Sequence, residues 1–210
     1  MQTDQSFRVG DIITCWGADP VSTFISLKTS WPFGNPALKY APSHVAIIGE
    51  YEGALGWYES TTKCHHKCLY AGEKVSGFQV HEPNKRVADY LGKCGGIAIF
   101  RLSCFARLAF DDIRFSQLLR MSLDHRLSYA MDLLDGAMLS GTRLLKFSYF
   151  YSLLVPGVDE RDVFCSEIVS RYMQELGLQN RADPRQFTPG GLLRDLTRTG
   201  AYRLIYKQWG

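Results

Sequence analysis

Two apolar runs joined by a tight turn constrain this chain more than any other local feature. Ser43-His44-Val45-Ala46-Ile47-Ile48-Gly49-Glu50 and Leu55-Gly56-Trp57-Tyr58-Glu59-Ser60 flank a Glu52-Gly53 turn. Runs of this length, rich in β-branched and aromatic residues, predict an antiparallel hairpin. Asp11-Ile12-Ile13-Thr14-Cys15-Trp16, just after Val9-Gly10, reads as an earlier strand. Further strands are expected at 78–81 and 96–102, with a short helix over 84–91 between them. Beyond residue 110 the periodicity turns helical, at 111–121, 127–134, from Cys165 to Leu176, and from Pro189, where proline suits a first helical position. A helix is also expected within 20–28, and residues 202–206 read as a returning edge strand. Strands early and helices late indicate α+β rather than alternating β-α units.

A length of 210 residues suits one domain with a sizeable core. Hydrophobic residues make up 46% and charged residues 21%, the balance of an ordinary globular protein. A net charge of +3 with no long basic run gives no electrostatic ground for nucleic-acid binding. Lys85-Arg86 and the arginines from Arg181 to Arg185 read as solvated surface. The first residues, Met1-Gln2-Thr3-Asp4-Gln5-Ser6, lack the basic start and apolar core of a secretory signal. The longest apolar-rich stretch, 147–158, is broken by Ser148, Ser152 and Pro156 and is too short to span a bilayer, so no stable membrane insertion is expected. Six cysteines are too few for a disulfide scaffold at this length, and reduced thiols in a cytoplasmic protein fit best. Oligomeric state stays open.

Cys165 is the residue with the most chemical promise. Ile168, Val169, Tyr172, Met173 and Leu176 line one face of the helix it opens, Asp162 is a natural cap and Gly177 a natural stop. In a first turn, free backbone N–H groups and the helix dipole favour a thiolate, the nucleophilic form of cysteine. Position alone fits a buried structural cysteine better, and it is the company Cys165 could keep that shifts the balance. A nucleophilic cysteine needs a base and a group to orient that base. His44 opens an apolar strand, so its ring projects from the end of a sheet; a satisfied core histidine is the plain alternative. If 44–50 and 55–60 pair antiparallel, Glu59 falls near His44 and can hold one ring nitrogen while the other faces Cys165. Glu50 and Ser60 are the polar neighbours of that position.

Gly10-Asp11-Ile12-Ile13, Ser43-His44-Val45-Ala46-Ile47, Tyr58-Glu59-Ser60 and Phe164-Cys165-Ser166-Glu167-Ile168-Val169 together resemble the circularly permuted, NlpC-type papain-like cysteine hydrolases, the YiiX-like group. In ordinary papain-like enzymes the cysteine precedes the histidine; here the order is His, Glu, Cys. The resemblance implies a permuted papain-like α+β fold, a single domain over 1–210 with a small antiparallel sheet packed against helices, and against the family's compact form this chain carries insertions near 17–42, 61–76 and 103–160. It implies Cys165 as nucleophile, His44 as general base and Glu59 as the orienting residue, with no cofactor and no metal. The implied chemistry is amide cleavage through a thioester, on a peptide or other amide-containing substrate, with cell-wall-type peptides suggested by related families. The backbone N–H of Cys165 is the natural oxyanion donor. A lipid acyl hydrolase or acyltransferase of the same permuted fold is the second reading; the lecithin:retinol acyltransferase relatives carry Glu-His after the cysteine, where this chain has Ser166-Glu167. A non-catalytic binding module stabilised by zinc is the third.

Cys64-His65-His66-Lys67-Cys68 has the composition of a zinc site, and Cys94 or Cys104 would supply a further ligand. The spacing lacks paired two-ligand knuckles, so an exposed polar insertion is expected there instead. His81 and His125 are expected at the surface. Phe147-Ser148-Tyr149-Phe150-Tyr151 with Leu153-Leu154-Val155 suits core packing first, with an acyl pocket or a membrane contact as the alternatives. Glu167 is either a second site carboxylate or, more simply, a partner for the helix dipole or a cation.

Overall fold

The computed structural model describes residues 6–20, 22–23, 26–27, 41–61, 64–125, 165–180, 182–184 and 187–210. Its centre is a six-stranded sheet built from β1 (Ile12–Trp16), β2 (His44–Tyr51), β3 (Ala54–Thr61), β4 (Gly77–His81), β5 (Gly96–Leu102) and β6 (Tyr202–Trp209). The spatial order is β4-β3-β2-β1-β5-β6, with every neighbouring pair antiparallel. Among the described residues, the helices with both ends described are α1 (Pro83–Leu91), α2 (Cys104–Ala109), α3 (Asp112–Asp124), α4 (Cys165–Glu175) and α5 (Pro189–Arg198). The architecture is therefore α+β, and the strands expected from the sequence form within a residue of their anticipated ends, except β6, which runs three residues past 206 to Trp209. The hairpin turns at Glu52 and Gly53, which both adopt positive φ (50° and 79°), the backbone such a tight turn requires. The described residues between 20 and 27 are helical. The helix expected at 127–134, the aromatic stretch 147–155 and the Asp162 cap lie outside the described residues.

Strand alternation gives the sheet two faces, and both are covered. On one, Ile12, Val45, Ile47, Tyr58, Val80 and Phe100 pack against α3, α4 and α5 through Phe115, Leu119, Ile168, Tyr172, Met173, Leu192 and Leu196. The other, formed by Ile13, Cys15, Ala46, Ile48, Trp57, Ile97 and Ile99, lies under α1 through Val87, Tyr90 and Leu91. Short helices are marginal alone. In α4 the burial of Ile168, Val169, Tyr172 and Met173, each worth about 1.5–3 kcal/mol, supplies what propensity does not. Buried polar ties fix its setting: Tyr172 Oη donates to Ser122 Oγ of α3 at 2.6 Å, and Ser170 Oγ donates to Gln179 Oε1 at 2.8 Å. Gly177, at φ 70°, ends the turn after α4, the stop its sequence position predicts.

Asp11, part of the first resemblance motif, is a structural residue. Arg101 donates to both of its carboxylate oxygens, at 2.9 and 2.7 Å, tying the entry of β1 to β5. No helix among the described residues is long and apolar enough to cross a membrane.

Candidate active site

The site grows from the end of the sheet where β2 begins. Ser43 anchors that end: its N–H and its hydroxyl both donate to the Cys15 carbonyl, while its Oγ accepts from the Gly17 N–H at 3.1 Å. His44 is thereby fixed as the first residue of β2, directly across from Cys15 of β1. Antiparallel pairing of β2 with β3 sets Ile47 opposite Tyr58, which brings Glu59 to the same end of the sheet. The His44 Nε2 lies 2.9 Å from Glu59 Oε2. Tyr90 of α1 stacks on the His44 ring at 6.5 Å between centroids, shielding it.

Cys165 opens α4, which packs against β2 and β3. Its thiol is close enough to the His44 ring, and to the backbone N–H groups of Val45 and Ser166, for each of them to favour the charged sulfur. With Nε2 committed to Glu59, Nδ1 is the ring nitrogen left for the sulfur. Glu59, His44 and Cys165 thus lie together as interacting neighbours, and all three are buried.

The electrostatics of that chain favour charge separation. Burial alone would raise the Cys165 pKa, but the His44 charge, its hydrogen bond and the two backbone N–H groups pull it below the ordinary thiol value. His44 shows the reciprocal effect: burial works against its charge, yet Cys165 and Glu59 push its pKa up to about 10. Both shifts favour thiolate and imidazolium over the neutral pair. Cys15, equally buried and beside the same histidine, goes the opposite way. Burial, then the Glu59 charge, push its thiol well above the usual value. A helix N-terminus and a histidine hydrogen bond separate the two cysteines chemically.

Glu59 has a second partner that the sequence reading missed. Arg86 Nε donates to Glu59 Oε1 at 2.6 Å and Nη2 donates to Oε2 at 3.2 Å, a two-pronged grip on a carboxylate only 1% exposed. Burial disfavours the Glu59 charge, but Arg86 and His44 outweigh it and hold the carboxyl far below its usual range. Arg86 also donates to Asp89, which in turn meets His66 Nε2 at 3.1 Å. Arg86 is 5% exposed, which overturns its assignment to solvated surface. The clue was helical spacing: Pro83, Arg86, Val87 and Tyr90 fall at i, i+3, i+4 and i+7, so Arg86 occupies a position on the sheet-facing stripe.

The Cys64–Cys68 segment also departs from expectation. Cys64 and Cys68 are buried rather than part of an exposed insertion, while His65 is exposed. Cys68 Sγ accepts from the Val80 N–H, and His66 faces Asp89, so the local cluster does not converge on one metal position. Cys94 and Cys104 are exposed. Among the described residues, the group that could hold a metal is Glu59, Cys64 and His81, with ligand atoms within 4.8 Å of one another. His81 is therefore no surface residue: it is 1% exposed, opposite Trp57 in the sheet, with Nε2 2.8 Å from Gln79 Oε1. Burial lowers its pKa, favouring the neutral ring. Glu167 meets a cation, as expected, accepting from Arg171 Nη2 at 2.7 Å.

An open depression of about 680 Å³ lies at the other end of α4, lined by Arg114, Gln174, Glu175 and Asn180. Ten residues of helix, about 15 Å, separate it from Cys165, so it is no part of the Cys165 site. No protein-family model matches the chain, and no curated protein is significantly similar to it.

Proposed function

We propose that this protein is a cysteine hydrolase of the circularly permuted, NlpC-type papain-like fold, cleaving an amide bond in a peptide or peptide-like substrate. The observation that carries the reading is the buried chain from Glu59 through His44 to the first residue of α4, Cys165. A structural cysteine needs none of these partners, and Cys15 illustrates the inert alternative in the same protein.

In this mechanism the Cys165 thiolate attacks the amide carbonyl carbon, and the carbonyl π pair moves to oxygen. The backbone N–H of Cys165, at the positive end of α4, donates to that oxyanion. The imidazolium of His44 then gives its proton to the leaving nitrogen as the C–N bond breaks, leaving a thioester on Cys165. Neutral His44 next takes a proton from water, whose oxygen attacks the thioester. Collapse releases the carboxylic acid and restores thiolate and imidazolium. Glu59 keeps the ring oriented throughout and stabilises its cationic form. Arg86 is a positioning residue that fixes both oxygens of Glu59. Cell-wall-type peptides are the substrate class that the family resemblance suggests.

The test is the pH dependence of alkylation by iodoacetamide, followed at each cysteine, in wild type and His44→Ala. Cys165 is expected to react well below pH ~8.5, the free-thiol value, and to lose that advantage in the variant. Cys165→Ala is expected to abolish hydrolysis across a panel of peptide amides. Alkylation of Cys165 that follows an ordinary thiol profile and ignores His44→Ala refutes the reading.

A further inference from the structure

Beside the Glu59–His44 pair lie two ligating side chains that the proposed hydrolysis does not use. Cys64 Sγ stands 3.9 Å from His81 Nδ1, and Glu59 completes the triplet within 4.8 Å. A tetrahedral zinc ion with sulfur at 2.3 Å and nitrogen or oxygen near 2.1 Å sets its ligand atoms about 3.4–3.6 Å apart. The Cys64–His81 spacing needs only a few tenths of an ångström of contraction to meet that demand.

The surroundings of His81 are those of a ligand. Gln79 Nε2 donates to the Thr61 carbonyl at 2.6 Å and to the Gly77 carbonyl at 3.1 Å, which fixes the amide orientation and presents Oε1 to His81. His81 Nε2 lies 2.8 Å from that oxygen and carries the ring hydrogen, so Nδ1 is the bare nitrogen, and it is aimed at Cys64. Ligating histidines are characteristically oriented by such a hydrogen bond on the far nitrogen. A thiolate, an imidazole and a carboxylate together select borderline and soft cations over magnesium or calcium.

We propose that Glu59, Cys64 and His81 form a binding site for a divalent cation of the zinc class, and that its occupation draws Glu59 away from His44. Binding releases one proton, from the Cys64 thiol to solvent, and leaves the fourth coordination position to water. Glu59 cannot serve every partner fully. Its oxygens already accept from Arg86 and face His44, and an entering cation competes with Arg86 for the same carboxylate. The site itself is independent of the catalytic reading; its effect on His44 rests on that reading.

The experiment uses cadmium as a spectroscopic stand-in and the full chain carrying Cys94→Ser, Cys104→Ser and Cys165→Ser, which removes the exposed thiols and the proposed nucleophile. One cadmium per chain is expected, with a thiolate-to-cadmium absorption band. Cys64→Ser, nearly isosteric, is expected to weaken binding at least about tenfold and remove the band, with His81→Ala weakening it similarly. Arg86→Gln is expected to tighten it. No band, or binding indifferent to both Cys64→Ser and His81→Ala, overturns the site whatever Cys165 does. In chains that retain Cys165, zinc is expected to shift Cys165 alkylation to higher pH, and Cys64→Ser to cancel the shift. Cys64-dependent cadmium binding with an unmoved alkylation profile overturns the link to His44 and leaves the site standing.

Discussion

Replacing Arg86 with methionine keeps most of the side-chain stem and removes both donors to Glu59. The carboxylate left behind is buried, with His44 as its remaining partner among the contacts described. Breaking a buried ion pair from one side strands an uncompensated charge, which costs about 3–5 kcal/mol. Against a typical domain stability of about 5–15 kcal/mol, that is a large fraction of the whole. The loss depends on pH in a definite direction. In the wild type the Glu59 pKa is depressed, so its contribution is full above the ordinary carboxylate value of 4.5 and is lost only as pH falls through the folded value. In Arg86→Met the largest counterweight to burial is gone, so the Glu59 pKa rises, and protonation relieves the stranded charge. Each pH unit below the variant's Glu59 pKa then returns at most about 1.4 kcal/mol. Urea unfolding at about pH 7 and about pH 5 measures both quantities. The gap between wild type and variant is expected to be several kcal/mol at neutral pH and to narrow at the lower pH. Arg86→Met combined with Glu59→Gln is expected to recover much of the loss, because the stranded charge is then gone. A gap below about 1 kcal/mol, or one that ignores pH, refutes the reasoning.

Two further outcomes follow from groups near the site. His81 has a lowered folded pKa, so it contributes stability above the ordinary histidine value of 6.5 and loses it as pH falls below that value, when the unfolded chain takes up a proton that the folded one resists. Urea unfolding of His81→Gln is accordingly expected to show a flatter stability profile than wild type on acidification from 6.5, and an equally steep one counts against a neutral buried ring. Gly49 leaves no room for a methyl group: a Cβ there would stand 2.2 Å from Leu119 Cδ1 and 2.9 Å from the Tyr58 ring. Thermal unfolding of Gly49→Ala is therefore expected to reveal about 1–3 kcal/mol of lost stability, as α3 is pushed off the sheet; an unchanged midpoint contradicts that packing.

The elements that the sequence made legible are those whose signal is local. The β2–β3 hairpin was readable because two apolar runs flank one turn, and that register alone put Glu59 beside His44. The α4 stripe was readable from five apolar residues at helical spacing. What escaped notice depends on pairings between distant segments. Nothing local says that β1 slots between β2 and β5, which seats Cys15 across from His44. Arg86 looked solvated because it stands next to Lys85, and adjacent residues on a helix point in different directions. His81 looked exposed because strand alternation normally sends the polar set to water. Here Gln79, His81 and Glu59 share a face that is sealed by buried partners, so polarity signalled a buried network rather than solvent.

The order of the elements along the chain has a further consequence for synthesis on the ribosome. His44, Glu59 and Arg86 all precede β5, and the five strands β4-β3-β2-β1-β5 are contiguous both in sequence and in the sheet. Chains commonly begin to fold from their N-terminal portion during translation. The basic half of this apparatus can therefore assemble while Cys165 is still unmade. On the proposed mechanism, a Cys165 thiol emerging later meets the His44 ring only when α4 docks onto β2.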